Sequence, residues 1–319
     1  MQTKELLRVE GLKKYFPLKG GHVLKAVDDV SFTLRRGETL GLVGESGCGK
    51  TTVGRTLLKL YQPDGGRILW EDRDITHAGR REQLALCRKM QMIFQDPYAS
   101  LNPFMTVGEI ISEGLDIHGI GKDRAQRNEL MYELLKLVGL HPSHANRFPH
   151  EFSGGQRQRV GIARALAVDP QFIVCDEAIS ALDVSVQAQI VNLLLDLREQ
   201  RQLSYLFIAH DLSVVRYISH RVAVMYLGRI VEYGSTEEIF SHPAHPYTKG
   251  LMSAVPVTDP AVEKARSYTR LQGEVSSPVD TKPGCLFARR CPYATEACHC
   301  QTPQLRKVSH DHFAACHLL

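Results

Sequence analysis

The apolar run Thr39-Leu-Gly-Leu-Val43 leads directly into Gly44-Glu-Ser-Gly-Cys-Gly49-Lys50-Thr51, and a helix-forming stretch, Thr52–Leu60, follows. Strand, glycine loop and helix in that order form the context in which G-x4-G-K-[ST] reads as a phosphate cradle. The glycines let the backbone curl so that successive N–H groups point at phosphate oxygens, and the positive end of the helix adds to the attraction. Lys50 is expected on the β- and γ-phosphates and Thr51 as an oxygen donor to Mg²⁺. A glycine-rich turn that happens to carry Lys-Thr is the plainer alternative, and the flanking strand and helix argue against it.

Such a cradle needs a carboxylate at the end of a second buried strand, and Phe172-Ile-Val-Cys175-Asp176-Glu177 supplies one. Asp176 is expected to hold magnesium through water, and Glu177 to orient and polarise an attacking water. Phe172–Cys175 and Tyr205–Ala209 are short apolar runs of the doubly buried kind, separated by a helix of about Val184–Gln200. That alternation predicts an α/β fold around a central, mainly parallel sheet. Further out, Leu6–Val9 and Val30–Leu34 read as short β segments, and residues 106–140 as mostly helices. Beyond residue 240, His242-Pro243, His245-Pro246, Pro256, Pro260, Pro278 and Pro283 break any long element, so the tail reads as a separate appendage or at most a small second domain.

Composition removes several classes. With 43% hydrophobic and 23% charged residues, the 319-residue chain is neither largely disordered nor fibrous. Its net charge of +4 is too weak to mark a nucleic-acid or anionic-membrane footprint, so no nucleic-acid partner is expected. No apolar run approaches the roughly 18 residues of a spanning helix. The opening Met1-Gln-Thr-Lys-Glu lacks the profile of a secretion signal, which makes residence in the cytosol the simplest expectation.

Phe152-Ser153-Gly154-Gly155-Gln156, followed by Arg157-Gln158-Arg159, resembles the signature motif of ABC-type ATPases. On physical grounds alone, Ser-Gly-Gly ahead of a helical Gln156–Val168 is a second anion-accepting helix N-terminus, or else merely a cap. Two such sites on one chain suggest a head-to-tail dimer, each ATP clamped by the cradle of one subunit and the Ser-Gly-Gly of the other. The resemblance implies more. Tyr15 corresponds to the aromatic that stacks on adenine. Gln95, after the strand Gln91–Phe94, corresponds to the glutamine that senses magnesium and moves with the membrane subunits. Ser180-Ala181-Leu182-Asp183 corresponds to the loop that crosses to the other ATP, and His210 to the histidine on the γ-phosphate. Taken singly these are a packing tyrosine, a surface amide and a capping histidine; in this order they read together.

The resemblance thus implies an ATP hydrolase of the P-loop ABC fold. ATP is expected on Tyr15, on the cradle residues Gly44, Glu45, Ser46, Gly47, Cys48, Gly49, Lys50, Thr51 and Thr52, and on Gln95, Ser153, Gly154, Gly155, Gln156 and Asp183. Mg²⁺ is expected on Thr51, Gln95 and Asp176, with Glu177, His210 and Lys50 catalytic. The implied organisation is a nucleotide-binding domain over 1–240 with an antiparallel β subdomain, a helical subdomain at about 96–168, and an extension over 241–319.

Gln95-Asp-Pro-Tyr-Ala-Ser-Leu-Asn-Pro103, Ser180-Ala-Leu-Asp-Val-Ser-Val-Gln-Ala-Gln189 and His245-Pro-Tyr-Thr248 are similar to the ATP-binding subunits of oligopeptide and dipeptide importers. That group also includes nickel and glutathione importers. It implies two transmembrane permease subunits docking near Gln95 and the loop Pro97–Pro103, and an extracytoplasmic solute-binding protein. It also implies a second, homologous ATPase chain, with a homodimer as the alternative, and a peripheral position on the cytoplasmic face of the membrane. Ala178 departs from the group, which usually has proline after the catalytic glutamate. A DNA-associated ABC ATPase is the rival class, but the stretch between Lys50 and Ser153 has no sustained heptads for the coiled coil such chains insert there.

Eight cysteines are present, of which Cys285, Cys291, Cys298, Cys300 and Cys316 crowd into the tail. Cys285, Cys291, Cys298 and Cys316 are spaced more widely than the close pairs of common zinc modules. Four thiolates suit zinc or an iron–sulfur cluster, and softness alone does not choose between them. The family resemblance implies a [4Fe–4S] cluster; free thiols are the ordinary reading. His310, His312 and His317 offer substitute ligands.

Overall fold

A computed structural model describes residues 4–255 and 277–319, which separate into two compact units. One comprises Met1–Arg35, Thr39–His77 and Ala209–Leu319; the other comprises Arg36–Glu38 and Ala78–Ile208.

The first unit holds an antiparallel sheet in which Glu5–Pro17 pairs with Val23–Arg35 on one side and Gly65–Trp70 on the other. Leu7, Val9 and Leu12 face Leu34, Phe32 and Val30 across the first pair, and all six are buried. The sequence marks only the most apolar stretches of these strands, Leu6–Val9 and Val30–Leu34. Polar positions extend both strands to 13 residues each, because one face of an antiparallel sheet tolerates solvent.

A second set of strands carries the glycine loop. Thr39–Val43 is buried throughout and pairs in parallel with Arg221–Tyr226, Leu40 opposite Arg221 and Val43 opposite Val224. Arg221–Tyr226 pairs antiparallel with Arg229–Ser235, and His312–Ala314 adds to that strand with Glu232 opposite Ala314. Arg306–Ser309 completes the edge. The described residues of the tail are grouped in one unit with the glycine loop, joined to it through this strand pairing. Pro246 does not break a helix but starts one, Pro246–Ser253, at the first position, where its missing N–H costs nothing. Tyr247 and Phe287 are buried against Tyr226, with ring centroids 4.7 and 5.4 Å away, which fastens the segment to the sheet. Pro256 and Pro260 lie outside the described residues.

In the second unit, Met90–Ile93, Phe172–Asp176 and Ser204–Ile208 form parallel neighbours in that order. The latter two are wholly buried, as their unbroken apolar runs demand. Val184–Arg201 is the intervening helix. Val107–Ile117, Arg124–Leu137 and Gly154–Leu166 make a helical cluster. Thr106 begins the first of these with a capping box, its hydroxyl accepting from the Glu109 N–H while the Glu109 carboxylate accepts from the Thr106 N–H.

Candidate functional site

Thr39–Val43 delivers Gly44 to the loop, and the loop ends where the helix Lys50–Leu57 begins. Gly49 caps that helix at φ +108°, where a Cβ would lie 2.0 Å from the Ala26 carbonyl oxygen, so only glycine fits. The helix begins two residues before the sequence suggests and ends earlier, because Lys59 takes a left-handed conformation at φ +62°. Lys50 is buried, and its Nζ donates to the carbonyls of Gly44 and Glu45 at 2.7 and 3.0 Å. Its positive charge is thus folded against the loop itself. Thr51 and Thr52 occupy the first helical turn, and Ser46, Gly47 and Cys48 form the bend before it. Burial pushes the Cys48 thiol up, so it stays a neutral thiol beside Lys50.

Glu45 is engaged away from the loop. Its carboxylate accepts from Arg290 Nη1 at 2.7 Å and Nη2 at 3.0 Å, and its N–H donates to the Tyr247 hydroxyl at 2.9 Å. Neither partner stands out in the sequence as a site residue: Arg290 hides in the Arg289-Arg290-Cys291-Pro292 stretch, read for its cysteine, and Tyr247 in a family-matching stretch. No local signal in the sequence marks either contact, because both partners lie some 200 or more positions from Glu45.

Tyr15 lies on Glu5–Pro17, where its hydroxyl donates to Asp28 at 2.6 Å and the Lys25 ammonium sits 5.9 Å from its ring centroid. Burial opposes charge on Asp28, yet hydrogen bonds from Tyr15 and Arg229 outweigh it and hold the carboxyl below its usual range. His210 is exposed and precedes Asp211, which caps Leu212–Ile218 by accepting from the Ser213 and Val214 N–H groups. The capping is done by Asp211.

The second unit brings the predicted carboxylates and amide together. Asp176 ends its strand, 1% exposed. Glu177 follows with φ +45°, a left-handed geometry that a non-glycine residue holds only where surroundings enforce it. Its N–H donates to the Ile208 carbonyl at 2.9 Å, and its carbonyl accepts from the Ser180 N–H and hydroxyl. Gln95 Nε2 donates to Glu177 Oε2 at 2.7 Å. Asp183 caps Val184–Arg201, and hydrogen bonds from the Val186 N–H and the Ser185 hydroxyl hold its carboxyl below the usual range. Gln187 Nε2 donates to the carbonyls of Ile179 and Leu182, bracing the loop between Glu177 and Asp183.

Ser153 caps Gly154–Leu166 in a capping box with Gln156. Ser153 and Gly154 are exposed and Gly155 is buried, where a Cβ would lie 2.4 Å from Val186 Cγ1. Gly155 thus serves close packing on the neighbouring helix, while the exposed pair ahead of it presents a helix N-terminus to solvent, suited to an anion.

Thr51, Gln95 and Asp176 are hard oxygen donors, the chemistry Mg²⁺ prefers. The tail thiols behave differently. Burial pushes Cys285 up to about 11, and Cys298, Cys316 and Cys291 lie near enough to oppose its charge further. The Cys285 N–H donates to the Cys298 carbonyl at 2.7 Å, while Cys300 is exposed. Yet among the described residues no group of three or more His, Cys, Asp or Glu side chains is arranged to hold a metal ion. The four-cysteine cluster implied by the family resemblance is thus not seen as a formed metal site among the described residues, where the cysteines are free thiols. Nor do the histidines turn toward them as substitutes: His312 pairs with Glu232, and His317 Nε2 lies 2.9 Å from the Gln301 carbonyl.

A family model described as "ABC transporter" matches residues 27–180, and one described as "Oligopeptide/dipeptide transporter, C-terminal region" matches residues 231–298. The chain is 52% identical over 318 residues to the putative oligopeptide transport ATP-binding protein YkfD of Bacillus subtilis, covering 100% of this chain and 97% of the relative. It is 51% identical over 320 residues to the oligopeptide transport ATP-binding protein AppF of the same organism, covering 98% and 97%. A putative peptide import ATP-binding protein of Brucella ovis is 52% identical over 316 residues, covering 99% and 98%. Among solved structures, the dimeric post-hydrolysis state of the ATP-binding cassette MJ0796 with ADP and Pi aligns with TM-score 0.66 and 27% identity, over 72% of this chain and 99% of that one. The cbiO1 protein of Clostridium perfringens, part of the ABC transporter complex cbiONQ, aligns with TM-score 0.66 and 26% identity, over 75% and 92%.

Proposed function

The chain belongs to the ATP-binding subunits of ABC transporters, and on that footing we propose that it hydrolyses ATP to drive uptake of oligopeptides or dipeptides across the cytoplasmic membrane. The observation that carries the reading is that similarity to peptide-transport ATP-binding proteins runs through the cassette and the C-terminal region alike. Among the described residues no helix is long and apolar enough to cross a membrane, so the solute path belongs to separate permease subunits. Peripheral attachment at the cytoplasmic face, near Gln95 and the loop Pro97–Pro103, follows from that division of labour. A solute-binding protein and a second, homologous ATPase chain complete the proposed assembly, in which 1–240 is the cassette and 241–319 its extension.

Each step falls to a named group. Lys50 and the N–H groups of the loop bind and orient the β- and γ-phosphates. Bound Mg²⁺ supplies charge neutralisation, and Thr51, Gln95 and Asp176 are the residues that would hold it. Glu177 takes a proton from the attacking water, whose oxygen bonds to the γ-phosphorus as the bond to the ADP oxygen breaks. His210 steadies the γ-phosphate, Tyr15 stacks on the adenine, and Ser153-Gly154-Gly155 faces the nucleotide of a partner cassette, reached also by Asp183. Co-purification with permease subunits, and ATPase activity in proteoliposomes stimulated by an oligopeptide-loaded binding protein, test the proposal. Stimulation by nickel or glutathione instead would move the chain to another branch of the family, and stimulation by DNA would remove it from transport.

The tail thiols stand outside these steps. A [4Fe–4S] cluster or zinc on Cys285, Cys291, Cys298 and Cys316 is supported by the resemblance and by the mutual proximity of the thiols. Metal analysis and an absorption spectrum of anaerobically purified protein decide it: iron with sulfide supports the cluster, zinc the alternative, and metal-free protein ends both.

A further inference from the structure

Glu45 is the second residue of a loop built to receive a polyanion, and an unpaired carboxylate there works against binding at short range. The structure neutralises it from far along the chain, 245 positions away. Arg290 forks onto both Glu45 oxygens, at 2.7 and 3.0 Å, with its own side chain only 6% exposed and that of Glu45 23%. A two-bond fork of this kind fixes direction as well as charge. The guanidinium is itself held in place, its carbon 5.8 Å from the Tyr226 ring centroid and 5.9 Å from that of Phe287. Tyr247, from the same C-terminal stretch of chain, takes the Glu45 N–H. Both the side chain and the main chain of this loop residue are thus fastened by residues beyond 240.

We propose that Arg290 is a positioning residue of the phosphate loop: it holds the Glu45 carboxylate aside and cancels its charge, so that the C-terminal segment sets the affinity of the loop for nucleotide. The proposal rests on the reading of Gly44–Thr52 as an ATP cradle. It predicts that affinity follows the net charge of the Glu45–Arg290 pair. Arg290→Ala leaves one negative charge, Glu45→Gln one positive charge, and the double variant none.

Equilibrium binding of ATP and AMP to the full chain at low and high salt supplies the test. Arg290→Ala is expected to weaken ATP binding about tenfold, Glu45→Gln to tighten it by roughly threefold, and the double variant to recover most of the loss. The spread shrinks from ATP to AMP and with added salt, and in turnover it shows in KM rather than kcat. A purely structural role for Arg290 gives another pattern: both single variants weaken binding and the double variant recovers nothing. That outcome, or unchanged ATP affinity in Arg290→Ala, overturns the proposal. If Arg290→Ala does not fold, Glu45→Gln decides alone, because affinity at or below wild type contradicts the charge argument. An unmodified chain that binds no ATP removes the cradle reading, and this proposal with it.

Discussion

Gln95 Nε2 donates to one carboxylate oxygen of Glu177 across 2.7 Å, tying the end of one parallel strand to the end of its neighbour. The contact fixes the orientation of the carboxylate proposed as the general base. The left-handed backbone at Glu177, φ +45°, aims the side chain, and the Ser180 contacts to its carbonyl hold it there. Glu177→Gln keeps shape and removes the carboxylate proposed as the base. ATP hydrolysis is expected to fall by roughly 10²-fold or more while ATP binding persists. Single-turnover hydrolysis beside equilibrium binding checks this, and turnover within a few-fold of wild type would take Glu177 out of the role.

Lys50 presents a different kind of loss. Its ammonium is buried and spends two of its three N–H donors on the Gly44 and Glu45 carbonyls, so it braces the loop as well as charging it. Lys50→Ala is expected to abolish detectable binding of a non-hydrolysable ATP analogue. Undiminished binding, measured by calorimetry, contradicts the phosphate assignment.

The C-terminal strand is pinned by a buried contact between a carboxylate and an imidazole. Glu232 and His312 are 0% and 2% exposed at their side chains, with 2.6 Å between carboxylate and ring nitrogen. Glu232 also accepts from the Ala244 and His245 N–H groups at 2.7 and 2.8 Å. Glu232→Ala strands these buried donors together with the imidazole, which costs about 3–5 kcal/mol. Urea unfolding is expected to show the drop. A change under about 1 kcal/mol would mean that water reaches the site and replaces the carboxylate.

Much of this was legible in the sequence because it is local. Thr39–Val43 reads as a buried parallel strand from its apolar run, and the glycine loop, the Asp176-Glu177 strand end and Ser153-Gly154-Gly155 each declare themselves within a few residues. The helix ends were less legible: nothing in Leu58-Lys59-Leu60 announces that Lys59 turns left-handed. What sequence reading missed is long-range. Arg290 meets Glu45, and His312 meets Glu232, only because Arg229–Ser235 draws the C-terminal strand onto the sheet beside the loop strand's neighbour. Prolines spaced along the tail suggested interruption, whereas the buried aromatics between them decided that the segment folds back. The family resemblance, rather than the cysteine spacing, implied a metal in the tail; among the described residues those thiols are neighbours, but no group of three or more ligating side chains is arranged to hold an ion.

His245 makes stability depend on pH in a window that can be named. The ring is 1% exposed, and burial pushes it down to about 4. Its Nδ1 accepts from the Tyr247 N–H at 3.1 Å to cap Pro246–Ser253, a role that only the neutral ring fills. In the unfolded chain a histidine titrates near pH ~6.5, so between there and about 4 the unfolded state binds the extra proton and the folded state does not. Stability from this group is therefore complete above pH ~6.5 and declines as pH falls toward 4, by up to about 3 kcal/mol. Asp28, whose carboxyl is held low, loses its contribution only further down, below the ordinary carboxylate value, so the two windows separate. His245→Asn keeps a capping oxygen and removes the titration. Denaturation midpoints measured from pH 7.5 to 4.5 are expected to slope downward for the wild type and to flatten for the variant. Parallel slopes in the two proteins would assign the acid sensitivity to other groups.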